Sequence, residues 1–294
     1  MPADEQTPFP IPQPLPALPQ PIHRIAPIWH TVVLVAAILA FSFWGVVRSG
    51  GLGNEPMAAL HGTRLLHYAL SGIFELVVVV WVALGLRLGK VPFRSLFGKM
   101  PRGLNDITKE AGIAALFWLL SMGVLASIAL TWNIVQTQVY QHQARSHTTP
   151  QGTPKGGAAE SPQQQQIRMA RKLMSLAPAD GLEIAAWGAL CLIVGFSEEV
   201  IFRGYLQSQG IGLLHSTVLG VLFSALVFGA AHGYQGLRGI CLISVYGALF
   251  SGITLLRRNL LPGMIAHSWH DFFTGMILAF IRETHLLDRI PLPS

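Results

Sequence analysis

The chain is short of charge and almost without cysteine. Only 12% of its 294 residues are charged, against about 25% in soluble domains, and 51% are hydrophobic. Little charge combined with long apolar runs argues against a soluble domain and predicts an all-α fold, a polytopic transmembrane helical bundle. The two cysteines, Cys191 and Cys241, both lie in apolar segments, so we expect small hydrophobic side chains there, with no disulfide and no cysteine metal centre.

The charge that is present is mostly basic, with a net charge of +6. In a membrane protein a positive excess commonly reflects basic cytoplasmic loops, so we expect a lipid bilayer as partner and no nucleic acid. No basic stretch precedes the first apolar run, which argues against a signal peptide. Residues 1–27 instead hold nine prolines, and this composition predicts a Pro-rich, disordered N-terminal tail.

The apolar runs predict about seven membrane spans. Their approximate bounds are 28–47, 66–86, 112–135, 182–202, 216–232, 239–256 and 260–281. The spans form two units. A three-span N-terminal unit covers 28–135, and a four-span core covers 182–282. Between them lies a polar linker, 136–181, whose helical spacing of basic residues near its end predicts an amphipathic interfacial helix.

Two adjacent carboxylates, Glu198 and Glu199, end an apolar run in the four-span core. An ionised carboxylate at membrane depth costs roughly 2.5–3.5 kcal/mol on insertion scales, so such residues need a structural or functional reason. Glu199 and Arg203 are spaced i and i+4 and therefore share a helix face, which predicts a buried structural ion pair. Glu198 points elsewhere and lacks that partner. Beside a histidine it could act as a general base on water.

Later apolar segments carry further polar residues. His232 ends one of them, and Phe228, one turn earlier, is expected to pack over the same site. His267 and Asp271 are spaced i and i+4 on the last span, a pairing that can fix the tautomer of an imidazole or stitch helices together. His270, close by, is compatible with a bystander role.

Other intramembrane or interfacial polar residues are given simpler interpretations. Glu75 lies in the second span without a comparable cluster around it, so we expect a structural hydrogen-bond partner, with substrate contact as the lesser alternative. His30, His67 and His215 lie near span ends, where interfacial placement is the expected reason for a histidine.

Orientation raises a geometric question. Six basic residues in the 87–111 loop favour a cytoplasmic loop and a cytoplasmic N-terminus. Glu198 would then lie nearer the inner face and His232 at the outer end of its span. If the two side chains meet, one of the helices has to be tilted, broken or longer than the predicted bounds.

Together the three segments resemble the CPBP family, which comprises type II CAAX prenyl proteases and bacteriocin-processing intramembrane proteases and is also called Abi. Its pattern is EExxxR, then FxxxH, then HxxxN or HxxxD, each on a separate membrane helix. Here these are Glu198-Glu199 with Arg203, Phe228 with His232, and His267 with Asp271. Each motif alone is weak, whereas the three in this order in a polytopic chain are specific.

The resemblance implies an intramembrane endopeptidase, with a membrane-associated peptide or protein as substrate and the plasma (inner) membrane of a prokaryote as location. By the resemblance, Glu198 and His232 activate the hydrolytic water, Glu199 and Arg203 hold the helix, and His267 and residue 271 stabilise the oxyanion. An asparagine at 271 could donate a hydrogen bond, but an ionised Asp271 cannot. Asp271 is then either protonated or an orienting partner of His267, and we favour the second role.

A metal remains an open alternative at this stage. Glu198, His232 and His267 are acceptable ligands for a divalent ion such as zinc, although no HExxH pattern is present. The enzyme would then be a metalloendopeptidase and otherwise a glutamic one. Two further readings compete with an enzyme: a non-catalytic membrane scaffold or immunity protein of the same fold, and a proton-coupled transporter, for which inverted repeats are expected but none is seen.

Overall fold

The computed structural model describes residues 24–48, 64–146 and 161–289, and within these ranges the chain is built from helices. The predicted Pro-rich tail lies almost entirely outside the described residues. The all-α prediction is confirmed. The helices are α1 Ile28–Arg48, α2 Arg64–Leu88, α3 Leu104–Ser146, α4 Pro162–Met174, α5 Gly181–Glu198, a π-helical segment Glu199–Leu206, α6 Gln207–Leu214, α7 Thr217–Ala231, α8 Gly236–Arg257 and α9 Leu261–Glu283.

The outer surface of this bundle is apolar, as expected of a protein that faces lipid. Large hydrophobic side chains are widely exposed, among them Phe43, Leu237 and Leu256. Five helical stretches in the described residues are long and apolar enough to cross a bilayer, and the shorter apolar helix α7 and the polar-bearing α9 complete a bundle consistent with about seven spans. The protein is therefore an integral membrane protein.

Local sequence signals set the ends of several helices. Ser161 caps α4 in a reciprocal capping box with Gln164, and Asp180 caps α5 by accepting a hydrogen bond from the Glu183 backbone N–H at 2.8 Å. Helix α4 falls where an amphipathic helix was expected. The first part of the predicted linker, in contrast, is helical, because α3 continues to Ser146.

The helix that carries the glutamate pair is longer than predicted. Segments α5, the π-helical segment and α6 are continuous over 34 residues, Gly181–Leu214. The chain then reverses at His215, whose φ of 52° is left-handed, and α7 returns along α6. Ser224 Oγ of α7 donates to Phe202 O at 2.6 Å. This hairpin brings His232, at the end of α7, back to the level of Glu198 and removes the geometric conflict.

Two further helices flank α5 in opposite directions. Arg64 of α2 donates to Glu183 Oε2 at 2.8 Å, and the rings of Tyr68 and Trp187 lie 5.3 Å apart. Both pairs have the same sequence offset of 119, so α2 runs parallel to α5. Helix α9 runs antiparallel to α5, since Gly195 meets Ser268 and the earlier Gly188 meets the later Phe272.

The N-terminal helix is fastened by a histidine that was expected at the membrane interface. The side chain of His30 is fully buried between helices. Its Nε2 donates to Trp81 O at 2.9 Å, its Nδ1 lies 2.9 Å from Tyr205 Oη, and its ring stacks on that of Trp81 at 4.5 Å. Gln209 also bonds the backbone of Ala26. Position near a span end does not indicate which way a side chain faces.

The close approach of α5 to α9 is testable with one substitution at two glycines. A Cβ at Gly195 would overlap Ser268 Oγ and come within 3.0 Å of Met264 O, whereas a Cβ at Gly188 would lie 3.6 Å from Phe272, an ordinary contact. We expect Gly195→Ala to destabilise the protein by about 1–3 kcal/mol and the control Gly188→Ala to change stability by less than about 0.5 kcal/mol. Thermal unfolding in detergent checks this, and equal Tm values for the two variants would contradict it.

Candidate active site

The two glutamates stand where α5 gives way to the π-helical segment. Widened π turns recur at functional sites. Glu198, the last α-helical residue, keeps 12% of its side chain exposed, whereas Glu199 keeps none. Two carboxylates adjacent in sequence therefore occupy different environments. Glu198 is accessible to a reactant and Glu199 is part of the protein interior.

Glu199 forms the ion pair that its spacing predicted. Arg203 Nη1 lies 2.9 Å from Glu199 Oε1, and the arginine side chain is only 1% exposed. The guanidinium lies over the ring of Phe228, 4.2 Å from its centroid, and 5.1 Å from that of Phe250. Rings on a buried guanidinium supply a favourable electrostatic contact that hydrocarbon would not. Phe228 packs against the site in this way as expected.

His267 links the two glutamates across helices. Its Nδ1 lies 3.0 Å from Glu199 Oε1 and its Nε2 lies 3.2 Å from Glu198 Oε2. A carboxylate can only accept hydrogen bonds, so when both are ionised the imidazole donates from both nitrogens and carries a positive charge. Both N–H groups of His267 are thereby committed to fixing the position of the glutamates.

Asp271 lies close to this group without joining its hydrogen bonds. Its Oδ2 is 3.8 Å from His267 Nε2, which is longer than a hydrogen bond, and 27% of the side chain is exposed. The imidazole is oriented by Glu198 and Glu199 at shorter distances. His270, on the same turn, packs its ring against Tyr246 at 4.9 Å.

His232 reaches the site from the end of α7. Its Nδ1 lies 2.9 Å from Phe228 O, and because a carbonyl only accepts, Nδ1 carries the proton. A ring with its proton on Nδ1 alone keeps a lone pair on Nε2. His232 makes no direct ion pair with Glu198 in the described residues, and α7 packs against the π-helical segment that follows Glu198.

The turn that follows His232 is fixed by the N-terminal helix. Ser42 Oγ of α1 donates to Ala230 O at 2.7 Å and accepts from the Gly233 N–H at 3.1 Å. The next residue, Tyr234, tilts its ring against that of His232 with centroids 6.0 Å apart. Tyr234 was not singled out in the sequence, because a tyrosine at a span end is a common interfacial residue.

Glu75 is the second residue of the site that the sequence did not assign to it. With the offset of 119, Glu75 of α2 lies level with Val194 of α5, one turn before Glu198. It interacts electrostatically with Glu198, His267 and Asp271. The signal that could have found it is the buried stripe of α2, formed by Arg64, Tyr68, Gly72, Val82 and Leu86, which Glu75 continues at heptad spacing.

No group of three or more His, Cys, Asp or Glu residues in the described ranges is arranged to hold a metal ion. Both nitrogens of His267, one of the three ligands considered, face carboxylates, at 3.0 Å from Glu199 and 3.2 Å from Glu198. Glu198 and His232 alone would be an incomplete set for zinc.

Comparison with known proteins gives one match. Residues 180–273 match the model of the family described as type II CAAX prenyl endopeptidase Rce1-like. The matched segment contains all three motifs and confirms the family resemblance that they gave. No curated protein and no solved structure matches the chain.

The buried cluster predicts coupled effects of mutation on stability. Glu199→Ala leaves two cationic groups without their partner and Arg203→Ala leaves a buried carboxylate short of one, so we expect each to destabilise by about 3–5 kcal/mol. The double variant should be less destabilised than the sum of the two singles. Unfolding of the purified variants in detergent measures this, and strictly additive losses would show that the two side chains do not act as a pair.

Proposed function

From the Rce1-like family assignment of residues 180–273, we propose that the protein is a multi-pass intramembrane endopeptidase, in the plasma membrane of a prokaryote, that hydrolyses a membrane-associated peptide with a glutamate- and histidine-activated water. The observation that carries this proposal is the division of the site into accessible and buried residues. The groups that can meet a reactant, Glu198 and Asp271, are accessible, whereas those that hold them, Glu199, Arg203 and His267, are buried.

In the proposed reaction, water binds between Glu198 and His232. His267 engages Glu198 Oε2, so Oε1 is available to the water and takes its proton as the oxygen attacks the peptide carbonyl carbon. The His232 Nε2 lone pair accepts a second hydrogen bond from the water and orients it. Glu198 then delivers the proton to the leaving nitrogen as the C–N bond breaks. The products are an amine and a carboxylic acid, which keeps the second proton of the water until it ionises in solution, and Glu198 is a carboxylate again.

The two alternative functions do not require Glu198 to act as a general base on water. A membrane scaffold has no use for an accessible carboxylate held in place by a buried imidazole. A proton-coupled carrier would use Glu198 as a relay without cleaving a peptide. Both alternatives therefore predict no proteolysis by purified protein.

Glu198→Gln is the first test. The amide keeps the shape of the side chain but cannot take a proton from water, so we expect turnover to fall by at least about 10²-fold. The measurement uses purified protein in liposomes and a panel of quenched fluorescent membrane peptides, with prenylated and unprenylated C-termini and internal sites. Leu256→Ala, at a lipid-facing position, serves as the control. A folded glutamine variant with near-normal turnover would rule out Glu198 as the base, and a wild-type protein that cleaves no peptide would favour the scaffold or the carrier.

Asp271→Asn tests the role of the last motif residue. If Asp271 is protonated and donates to the oxyanion, the amide donor should replace it with less than about 10-fold loss, because one neutral donor replaces another. If it is ionised and acts through the charge of His267, activity should fall by about 10²-fold or more, as when a histidine-orienting aspartate is replaced in a serine protease. The measurement is kcat for the best cleaved peptide across a pH series. Unchanged activity in Asp271→Ala would remove this residue from the mechanism.

A further inference from the structure

The site needs a hydrogen-bond donor for the oxygen of the scissile carbonyl, and its motif residues do not readily supply one. Both N–H groups of His267 face glutamates, and the Nδ1–H of His232 is used by Phe228 O. Arg203 is almost fully buried against Glu199. Asp271 has a donor only in its protonated form, which the Asp271→Asn variant tests, and none when it is ionised. Hydrolysis without a donor at the developing oxyanion would lose what is usually the largest single contribution to catalysis.

The Tyr234 hydroxyl has the properties that the missing donor needs. Gln235 Nε2 donates to it at 3.1 Å, so the hydroxyl acts as the acceptor in that contact and its own proton is free. The side chain is 36% exposed and can meet an incoming peptide. The tyrosine ring also lies beside a reacting group, since its centroid is 6.0 Å from that of His232.

The backbone holds Tyr234 at a fixed place beside the water-binding histidine. Residues Gly233–Gln235 form a single 3₁₀ turn directly after His232. Ser42 fastens the start of this turn through the Gly233 N–H, and Gly236, with a φ of 75°, ends it in a conformation that favours glycine. The ring contact with His232 then sets the direction of the tyrosine side chain.

We propose that Tyr234 is a further catalytic residue, whose hydroxyl donates a hydrogen bond to the carbonyl oxygen of the scissile peptide and strengthens it as that oxygen becomes an oxyanion. This inference rests on the proposed peptidase function. The tyrosine proton stays on the hydroxyl throughout, so the proton balance of the reaction through Glu198 is unchanged. Tyr234 thereby stabilises the charge that develops when the water oxygen adds to the carbonyl carbon.

Tyr234→Phe removes the donor and keeps the ring that contacts His232. We expect kcat for the peptide of the panel that wild type cleaves fastest to fall by about 10²–10³-fold, as for loss of one oxyanion donor elsewhere, while KM changes by less than about 3-fold. The matched control is Tyr68→Phe, whose hydroxyl donates to Leu176 O away from the site and whose kcat should equal that of wild type. A kcat within about 3-fold of wild type in folded Tyr234→Phe overturns the proposal.

A binding measurement separates this role from a structural one and from failure of the proposed function. The probe is the same peptide with a phosphinate in place of the scissile bond, a stable mimic of the tetrahedral oxyanion. Tyr234→Phe should weaken phosphinate binding by about 10²-fold and leave the affinity of the uncut peptide, measured in a Glu198→Gln background, unchanged. Equal weakening of both ligands would identify a positioning contact and overturn the proposal. Full activity of Glu198→Gln would instead refute the peptidase mechanism itself, whatever Tyr234→Phe does.

Discussion

One carboxylate oxygen, Glu199 Oε1, accepts from two cationic side chains that arrive from different directions. Arg203 comes from the same helix and His267 from α9, at 2.9 and 3.0 Å. Burial of any one of these charges alone would be unfavourable, and the three become tolerable because each satisfies another. The second nitrogen of His267 extends the cluster to Glu198 and makes a two-against-two balance of charge.

This charge balance holds the accessible carboxylate, Glu198, in a fixed position. His267 contacts Glu198 Oε2, and His267 is itself held by Glu199. The other oxygen of Glu198, Oε1, is therefore fixed in position by contacts on the buried side of the site alone. Asp271 lies outside the balanced set, with its Oδ2 3.8 Å from His267 Nε2. The surroundings of Glu198 are thus uneven, with His267 and Arg203 on its buried side and Asp271 on its accessible side.

The sequence predicted the parts of this arrangement that follow from spacing along one helix. The pairing of Glu199 with Arg203 and the edge-on packing of Phe228 against His232, one turn later, are of this kind. It also predicted the all-α membrane fold, since apolar length is decisive in a bilayer. It did not predict how α7 returns along an uninterrupted helix, because a π-helical segment and a left-handed turn have no strong local signature.

The spacing of residues along one helix does not determine how that helix is rotated about its axis, or how far it is shifted along its axis, relative to its neighbours. Glu75 was assigned a structural role because no motif surrounds it in the chain, yet the parallel register of α2 and α5 carries it to the cluster. The same limit applied to His30, whose buried contacts depend on α2 and on the π-helical segment. The pairing of His267 with Asp271 was the expectation from i and i+4 spacing, while the shorter contacts come from another helix.

The contact of Ser42 with the turn after His232 makes the site depend on helices outside the segment that carries the three motifs. The segment that the family match covers begins at residue 180, yet α1 supplies the hydroxyl that fastens the turn, and α2 supplies Glu75. The motif-bearing half is therefore not a portable module. A chimera that grafts residues 180–273 onto foreign leading helices would inherit the reactive groups without the brace that sets their spacing. In the first two helices, substitutions should therefore affect the site at Ser42 and Glu75, and lipid-facing positions should tolerate them.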